Sequence, residues 1–238
     1  KKWVEDISQR YKDNRGYFWS NITKNLNKIS DDFASIPVKR EKKVKVGIVG
    51  EIYMKYSRFG NSNLQAFLEH EGCEVMLPPL LGFFLYGVSN AIKDNEYYGT
   101  KPIYSKVDKH FILPFLEKSE KWLRAAISRH KEFVLPSTLS ELEENVDGII
   151  DRGCKMGEGW LLTAEMVELI KKGYSNTVCT QPFGCLPNHI VGKAMIRPLK
   201  EKYPESNIVP IDYDPSATKV NQENRIKLML AVAREHIE

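Results

Sequence analysis

The chain has 238 residues, 42% of them apolar and 11% aromatic, enough to bury a substantial core without a disulfide or metal to hold it. Its net charge of +4 comes from 35 basic and 31 acidic side chains that are interspersed, with only Lys39-Arg40-Glu41-Lys42-Lys43 as a short basic cluster, so charge does not indicate nucleic-acid binding. No run of 18 apolar residues occurs and the N-terminus lacks the apolar core of a signal peptide, which leaves no helical membrane span to expect and sets a cytoplasmic location as the default.

Four cysteines are too sparse for a secreted disulfide framework. In a reducing compartment, cysteines at loop ends read as metal ligands or reactive thiols. A chain that opens Lys-Lys-Trp is expected to be a piece of a longer protein.

Residues 1 to 34 carry apolar and aromatic positions such as Trp3, Ile7, Leu26 and Phe33 at spacings that predict helices, interrupted near Asn14-Arg15-Gly16. A connector with Pro37 leads to Val44-Lys45-Val46-Gly47-Ile48-Val49-Gly50, a β-branched run typical of a strand buried on both faces in a parallel sheet. A long loop is expected from Glu51 to Gly60, then a helix from Asn61 to Glu71 closed by Gly72, then a strand from Glu74 stopped by Pro78-Pro79. These form a β-loop-α-β unit, which crosses over with a right hand.

Helical pieces are expected over Leu80 to Ile92 and Asp108 to Lys131, with a surface loop from Asp94 to Lys106 between them. A short helix over Thr138 to Asn145 is signalled by Ser137 or Thr138 as N-cap and Glu141 near the third helical position. Alternation then returns: helix Trp160 to Lys172 ended by Gly173, strand Thr177 to Gln181, helix His189 to Tyr203, strand Asn207 to Asp212, and helix Ala217 to His236. Pro198 costs about 3 kcal/mol inside a helix, so a kink or early stop is expected there. Four strands separated by helices predict an open, mostly parallel α/β sheet of flavodoxin-like order 2-1-3-4, whose switch point lies between the first and third strands. The loops after Gly50 and after Cys179 then meet.

Cys185 ends Pro182-Phe183-Gly184 at a strand-to-helix junction, where open α/β proteins build ligand sites and where backbone amides favour a thiolate or an anionic iron–sulfur cluster. Cys154 precedes a second helix start at Gly157-Glu158-Gly159. Cys179 lies within an apolar run and is either a third ligand or a core thiol, and Cys73 reads as a small packing residue. The spacing is not that of a zinc ribbon. Gly47 and Gly50 lack the further spaced glycine of a dinucleotide fingerprint. Glu51 is a catalytic candidate in a ligand-facing loop whose polar groups include Tyr53, Lys55, Tyr56, Ser57 and Arg58, or the loop is simply solvated. Glu158 is an acid/base candidate or a helix-cap carboxylate, and His189, beside Asn188, is a catalytic candidate or a cap. His70, His110, His130 and His236 fall in predicted helices with no evident partner, and Asp212 and Asp214 end the fourth strand, Asp214 as a turn residue.

Three segments, Lys45 to Tyr53, Gly157 to Met166 and Gln181 to Lys193, resemble the C-terminal region of bacterial CoA-substrate-specific enzyme activases, relatives of 2-hydroxyacyl-CoA dehydratase subunits and double-cubane-cluster proteins. The resemblance runs from about residue 44 to 236. It implies a dehydratase-like α/β domain over 44–238, within which the run of helical pieces marks a helical insertion near 80–150 and before which the apolar spacing marks a helical segment over 1–43. It further implies an iron–sulfur cluster, 4Fe-4S or related, that receives an electron from an activator ATPase domain in the same chain or a separate one. Cys154 and Cys185 become the leading ligands, with Cys179 third, and a cubane's fourth ligand comes from elsewhere. No phosphate-binding loop of the activator kind is present, so no ATP site is assigned. The implied partners are that activator, a CoA thioester and an oligomeric assembly, with no nucleic acid and no membrane.

Overall fold

The computed structural model describes residues 2–13, 21–99, 102–214, 216 and 218–235. The helix break expected at Asn14-Arg15-Gly16, and the positions Pro215, Ala217 and His236, lie outside them. Along the chain run α1 (Lys2–Lys12), α2 (Ile22–Ala34), β1 (Lys45–Gly50), α3 (Ile52–Tyr56), α4 (Leu64–His70), β2 (Glu74–Met76), α5 (Leu80–Tyr98) and α6 (Pro102–Val107). There follow α7 (Leu113–Ile127), α8 (Leu139–Val146), α9 (Gly159–Lys171), β3 (Asn176–Pro182), α10 (Leu186–Val191), α11 (Ile196–Lys202), β4 (Asn207–Tyr213) and α12 (Lys219–Glu235).

Two compact units form, one from Lys1–Arg40 with Ala91–Pro136 and the other from Glu41–Asn90 with Ser137–Glu238. In the helical unit α2 packs on α7. The Asp31 carboxylate accepts hydrogen bonds from Arg129 Nη2 at 3.1 Å and sits 2.8 Å from His130 Nε2. His130 thus has a partner, which the sequence did not reveal, because the two lie 99 positions apart. The loop expected over Asp94 to Lys106 is instead mostly helix. Nothing between Asn90 and Gly99 breaks α5, and Pro102 stands at the first position of α6, where a missing N–H costs nothing. Among the described residues no helix is long and apolar enough to cross a membrane.

The second unit is an α/β layer structure around a four-stranded, all-parallel sheet of order β2-β1-β3-β4, the order expected from the sequence. Val49 pairs with Cys179 and Cys179 with Pro210, a proline tolerated because β4 is an edge strand. One face packs Val46, Ile48, Val178 and Ile211 against Leu64 and Leu68 of α4 and Ile226 and Leu230 of α12. The other packs Val49 and Cys179 against Leu162, Met166 and Leu169 of α9 and against Val191 and Leu199. Beyond α9, its Trp160, Leu161 and Ala164 meet Tyr86 of α5 and Leu142 and Val146 of α8. Helix α9 is therefore covered on all sides, and every residue from Gly159 to Ile170 is buried.

Local signals account for most element ends. Thr138 and Glu141 form the expected reciprocal capping box at α8, the threonine hydroxyl accepting from Glu141 N and Glu141 Oε2 accepting from Thr138 N at 2.7 Å. A side chain at Gly47 would collide with Leu169, its Cβ falling 2.4 Å from Cδ1, so this glycine lets α9 lie against β1. The helix expected over His189 to Tyr203 breaks earlier than Pro198. It divides at Gly192 into α10, a 3₁₀ turn over Lys193–Met195 and α11, and Pro198 falls in the first turn of α11. A Cβ at Gly192 would lie 2.6 Å from Asn188 O and 3.0 Å from Leu162, so only glycine fits where the helix divides.

The segment expected as a loop after β1 contains α3, because Glu51 caps it, its Oε2 accepting from Met54 N at 2.9 Å. Lys55 of α3 points inward, and its ammonium donates to both oxygens of Glu165 on α9, at 2.8 and 2.9 Å. Both side chains are buried. The Lys55 ammonium also lies 5.0 Å from the ring centre of Tyr56, whose hydroxyl donates to Pro78 O. Burial pushes the Glu165 carboxyl above its ordinary value, and the ammonium opposes that. Removing one partner of such a pair strands a charge. Lys55→Met is expected to cost about 3–5 kcal/mol in urea unfolding. A carboxyl with a raised folded-state pKa loses stability as pH rises through that pKa, so the deficit should shrink on acidification. The double variant Lys55→Met/Glu165→Leu should recover most of the loss; a double variant no more stable than the single one would show that the charge is not the cause.

Candidate functional site

Strand β1 ends at Gly50, whose φ is +138° and whose missing side chain would otherwise meet Thr180 O of β3 at 1.9 Å. The chain turns there tightly against β3, with Glu51 N donating to Thr180 O at 3.0 Å. Helix α4 then packs on one face of the sheet, whereas α10 and α11, which follow β3, contribute to the core on the other. That divergence makes the carboxyl ends of β1 and β3 the topological switch point of the sheet.

Three segments meet at this point. Glu158, at the N-terminus of α9, is buried and does not cap its own helix. Its Oε1 accepts from Ile52 N at the start of α3 at 3.2 Å, and its Oε2 accepts from Asn188 Nδ2 of α10 at 2.9 Å. The Asn188 amide also donates to Cys185 Sγ at 3.2 Å. A continuous hydrogen-bonded path thus runs from the turn after β1, through Glu158 and Asn188, to the Cys185 thiol. Because a carboxylate only accepts, Glu158 fixes which end of the Asn188 amide faces it, and hence presents N–H to the sulfur.

Cys185 is the N-cap residue of α10 and is partly exposed, as its place at a strand-to-helix junction required. Asn188 is fully buried, and its Oδ1 has no hydrogen-bond partner. The other buried acceptor without a partner at this edge is Gln181 Oε1. Gln181 Nε2 donates to Asp212 Oδ1 at 2.6 Å, and the same oxygen lies 3.1 Å from His189 Nε2, with Lys193 Nζ 3.6 Å from Asp212 Oδ2. His189 is therefore the second residue of a four-group cluster between α10 and β4, not a helix cap. Asp214 Oδ1 accepts from Ser216 N at 2.8 Å, the turn role expected for it, and these bonds hold its carboxyl below the ordinary range.

The remaining predicted residues are not drawn into the path. Glu51 spends its carboxylate on capping α3. Cys154 is exposed in the loop before α9, and its carbonyl accepts from Trp160 N at 2.7 Å, while Tyr86 Oη braces the same loop through Lys155 O. Cys179 is a core thiol: it is fully buried with Leu162 and Val191, and burial pushes it up to about 12, where a ligating thiolate is disfavoured. Among the described residues no three His, Cys, Asp or Glu side chains come together to hold a metal ion. The donor set fits a single thiolate contact from Cys185, and it does not close a cubane by itself.

Sequence reasoning placed Lys55 in a polar loop and Asn188 only as a neighbour of His189, and it missed Glu165. Asn188 stands three residues after Cys185, on the same face of a helical first turn, which is the one local signal for it. Lys55 and Glu165 are 110 positions apart, and no pattern joins them.

Comparison of the chain with protein-family models, with curated proteins and with solved structures gives no match. The site is therefore defined by its own geometry: a switch-point edge of a parallel sheet that presents one thiol, held by a buried amide, beside a His–Asp pair.

In reduced, metal-free protein at pH 8, iodoacetamide should modify Cys154 and Cys185 readily and leave Cys73 and Cys179 unmodified until unfolding, because burial pushes both of the latter thiols up. Peptide mass spectrometry checks this assignment; rapid native labelling of Cys179 would contradict its core placement.

Proposed function

We propose that this chain is the α/β domain of an electron-transfer protein of the 2-hydroxyacyl-CoA dehydratase and activase type, located in the cytoplasm, in which Cys185 presents one thiolate to an iron–sulfur cluster. The observation that carries this reading is the Cys185 sulfur itself, partly exposed at the switch point and accepting an N–H from buried Asn188. Its motifs resemble those of that family over the same three segments that meet at this edge. When bound, such a cluster supplies one-electron transfer at low potential, with the electron coming from an activator ATPase domain.

The residues of this chain have distinct parts in that role. Cys185 anchors, and Asn188 orients the sulfur and donates a hydrogen bond to it, the kind of contact that tunes a ligand's potential. Glu158 has both oxygens engaged and acts through Asn188 as a positioning residue. His189, paired with Asp212 and partly exposed, is the group able to hold or pass a proton beside the site, for example to a CoA thioester. Cys154 is the second thiol available from an exposed loop, and the other ligands come from outside the described residues.

Anaerobic reconstitution with ferrous iron and sulfide tests the proposal. A brown protein is expected, with stoichiometric iron and a broad visible absorbance that Cys185→Ser abolishes and Cys179→Ala retains. A colourless, iron-free protein that still binds the activator domain would make this a docking module. Thermal stabilisation by a CoA thioester, undiminished in Cys185→Ser and without bound iron, would make it a thioester-binding domain.

A further inference from the structure

A crevice opens between residues 53–62, which follow β1, and the side chains of Tyr213 and Asp214 at the end of β4 and of Lys219 and Gln222 at the start of α12. Its volume is about 370 Å³, and its walls include Tyr53, Phe59, Tyr213, Asp214, Lys219 and Gln222. That is the size of a small-molecule site, and its place outside the carboxyl ends of parallel strands is where open α/β sheets bind ligands. Cys185, Asn188 and Glu158 do not line it.

The wall over residues 57–63 is built stiffly for so short a turn. Asn61 is buried, its Nδ2 donating to Met54 O at 2.8 Å and its Oδ1 accepting from Leu64 N at 3.1 Å. Gly60 N donates to Ser57 Oγ, and Asn63 N to Arg58 O. Ser62 and Asn63 both take left-handed φ values, +53° and +61°, which side chains other than glycine seldom adopt twice in succession. Gly60 has no side chain because a Cβ there would lie 2.7 Å from Tyr53 Cε1. The result holds the Phe59 ring 92% exposed at the mouth of the crevice, near Tyr53.

Tyr213 supplies the polar feature. It lines the crevice with a side chain that is only 8% exposed, and a phenol is a hydrogen-bond donor to whatever reaches it. Burial pushes this phenol upward, so it stays protonated and offers a donor. Two exposed aromatic side chains and one phenolic donor on the walls suit a flat ring with an acceptor atom on its edge.

We propose that this crevice binds a planar heteroaromatic ring, stacked on Phe59 and Tyr53 and accepting a hydrogen bond from the Tyr213 hydroxyl. The site does not depend on the iron–sulfur reading. Adenosine and nicotinamide serve as probes, with cyclohexanecarboxamide as the non-aromatic control, in thermal-shift and saturation-transfer NMR measurements on the full chain. At least one aromatic probe should bind and the control should not. Phe59→Ala, at a position too exposed to affect folding, should weaken binding roughly 5- to 100-fold through lost stacking. Tyr213→Phe should weaken it by about fivefold through the lost hydrogen bond. Cys185→Ser should leave it unchanged. No binding by either probe, or binding that both pocket variants retain, would overturn the proposal.

Discussion

The buried ion pair between Lys55 and Glu165 sets the architecture of the functional edge. Helix α9 is the central element of its unit, since it packs simultaneously on the sheet and on α5 and α8. A helix buried on every side offers few places for a charge, and Glu165 is tolerated there only because Lys55 reaches it from α3 with two hydrogen bonds. The pair therefore ties the turn after β1 to α9. Glu158, about two turns earlier at the N-terminus of the same helix, makes the second tie by accepting from Ile52 N. Together they fix the turn after β1 relative to the N-terminus of α9, and the Asn188 bridge then fixes α10 relative to both.

This arrangement explains why the Cys185 thiol is poised without lying in a conventional metal cage. The thiol stands at the end of a chain of hydrogen bonds in which each donor and acceptor is determined by the next: a backbone N–H and an amide satisfy Glu158, and Glu158 orients the amide that meets the sulfur. Asn188 Oδ1 and Gln181 Oε1 remain buried without partners. The crevice lined by Phe59 and Tyr213 sets exposed aromatic surface beside a phenolic side chain.

Much of the α/β unit was legible along the chain because its signals are local. Val44 to Gly50 is a mostly apolar run and Thr177 to Gln181 a β-branched-rich one, both of strand length, Thr138 and Glu141 announce α8, and Gly173 closes α9 in a left-handed conformation. Strand order followed from the helices between strands. The errors occurred where local and tertiary preferences compete. The turn after Gly50 looked polar, yet Glu51 capping and the inward Lys55 make it helical; the helix after Cys185 divides at Gly192 rather than Pro198, at a position where Asn188 O, Leu162 and Cys179 leave no room for a side chain.

The sequence by itself determined the parallel α/β fold, the 2-1-3-4 order and the position of Cys185 at a strand-to-helix junction, because hydrophobic period, caps and turn residues act over a few positions. Only the tertiary structure decided what surrounds that thiol. Residues separated by 30 to 110 positions, Glu158 with Asn188 and Lys55 with Glu165, become neighbours when the sheet brings loop ends together. Burial likewise separated Cys179, enclosed by α9, from Cys185 only six positions further on, since alternate faces and strand ends meet different solvents. Polarity and spacing identify which groups are reactive in principle; desolvation and hydrogen-bond partners, which exist only in the folded chain, decide which of them are available.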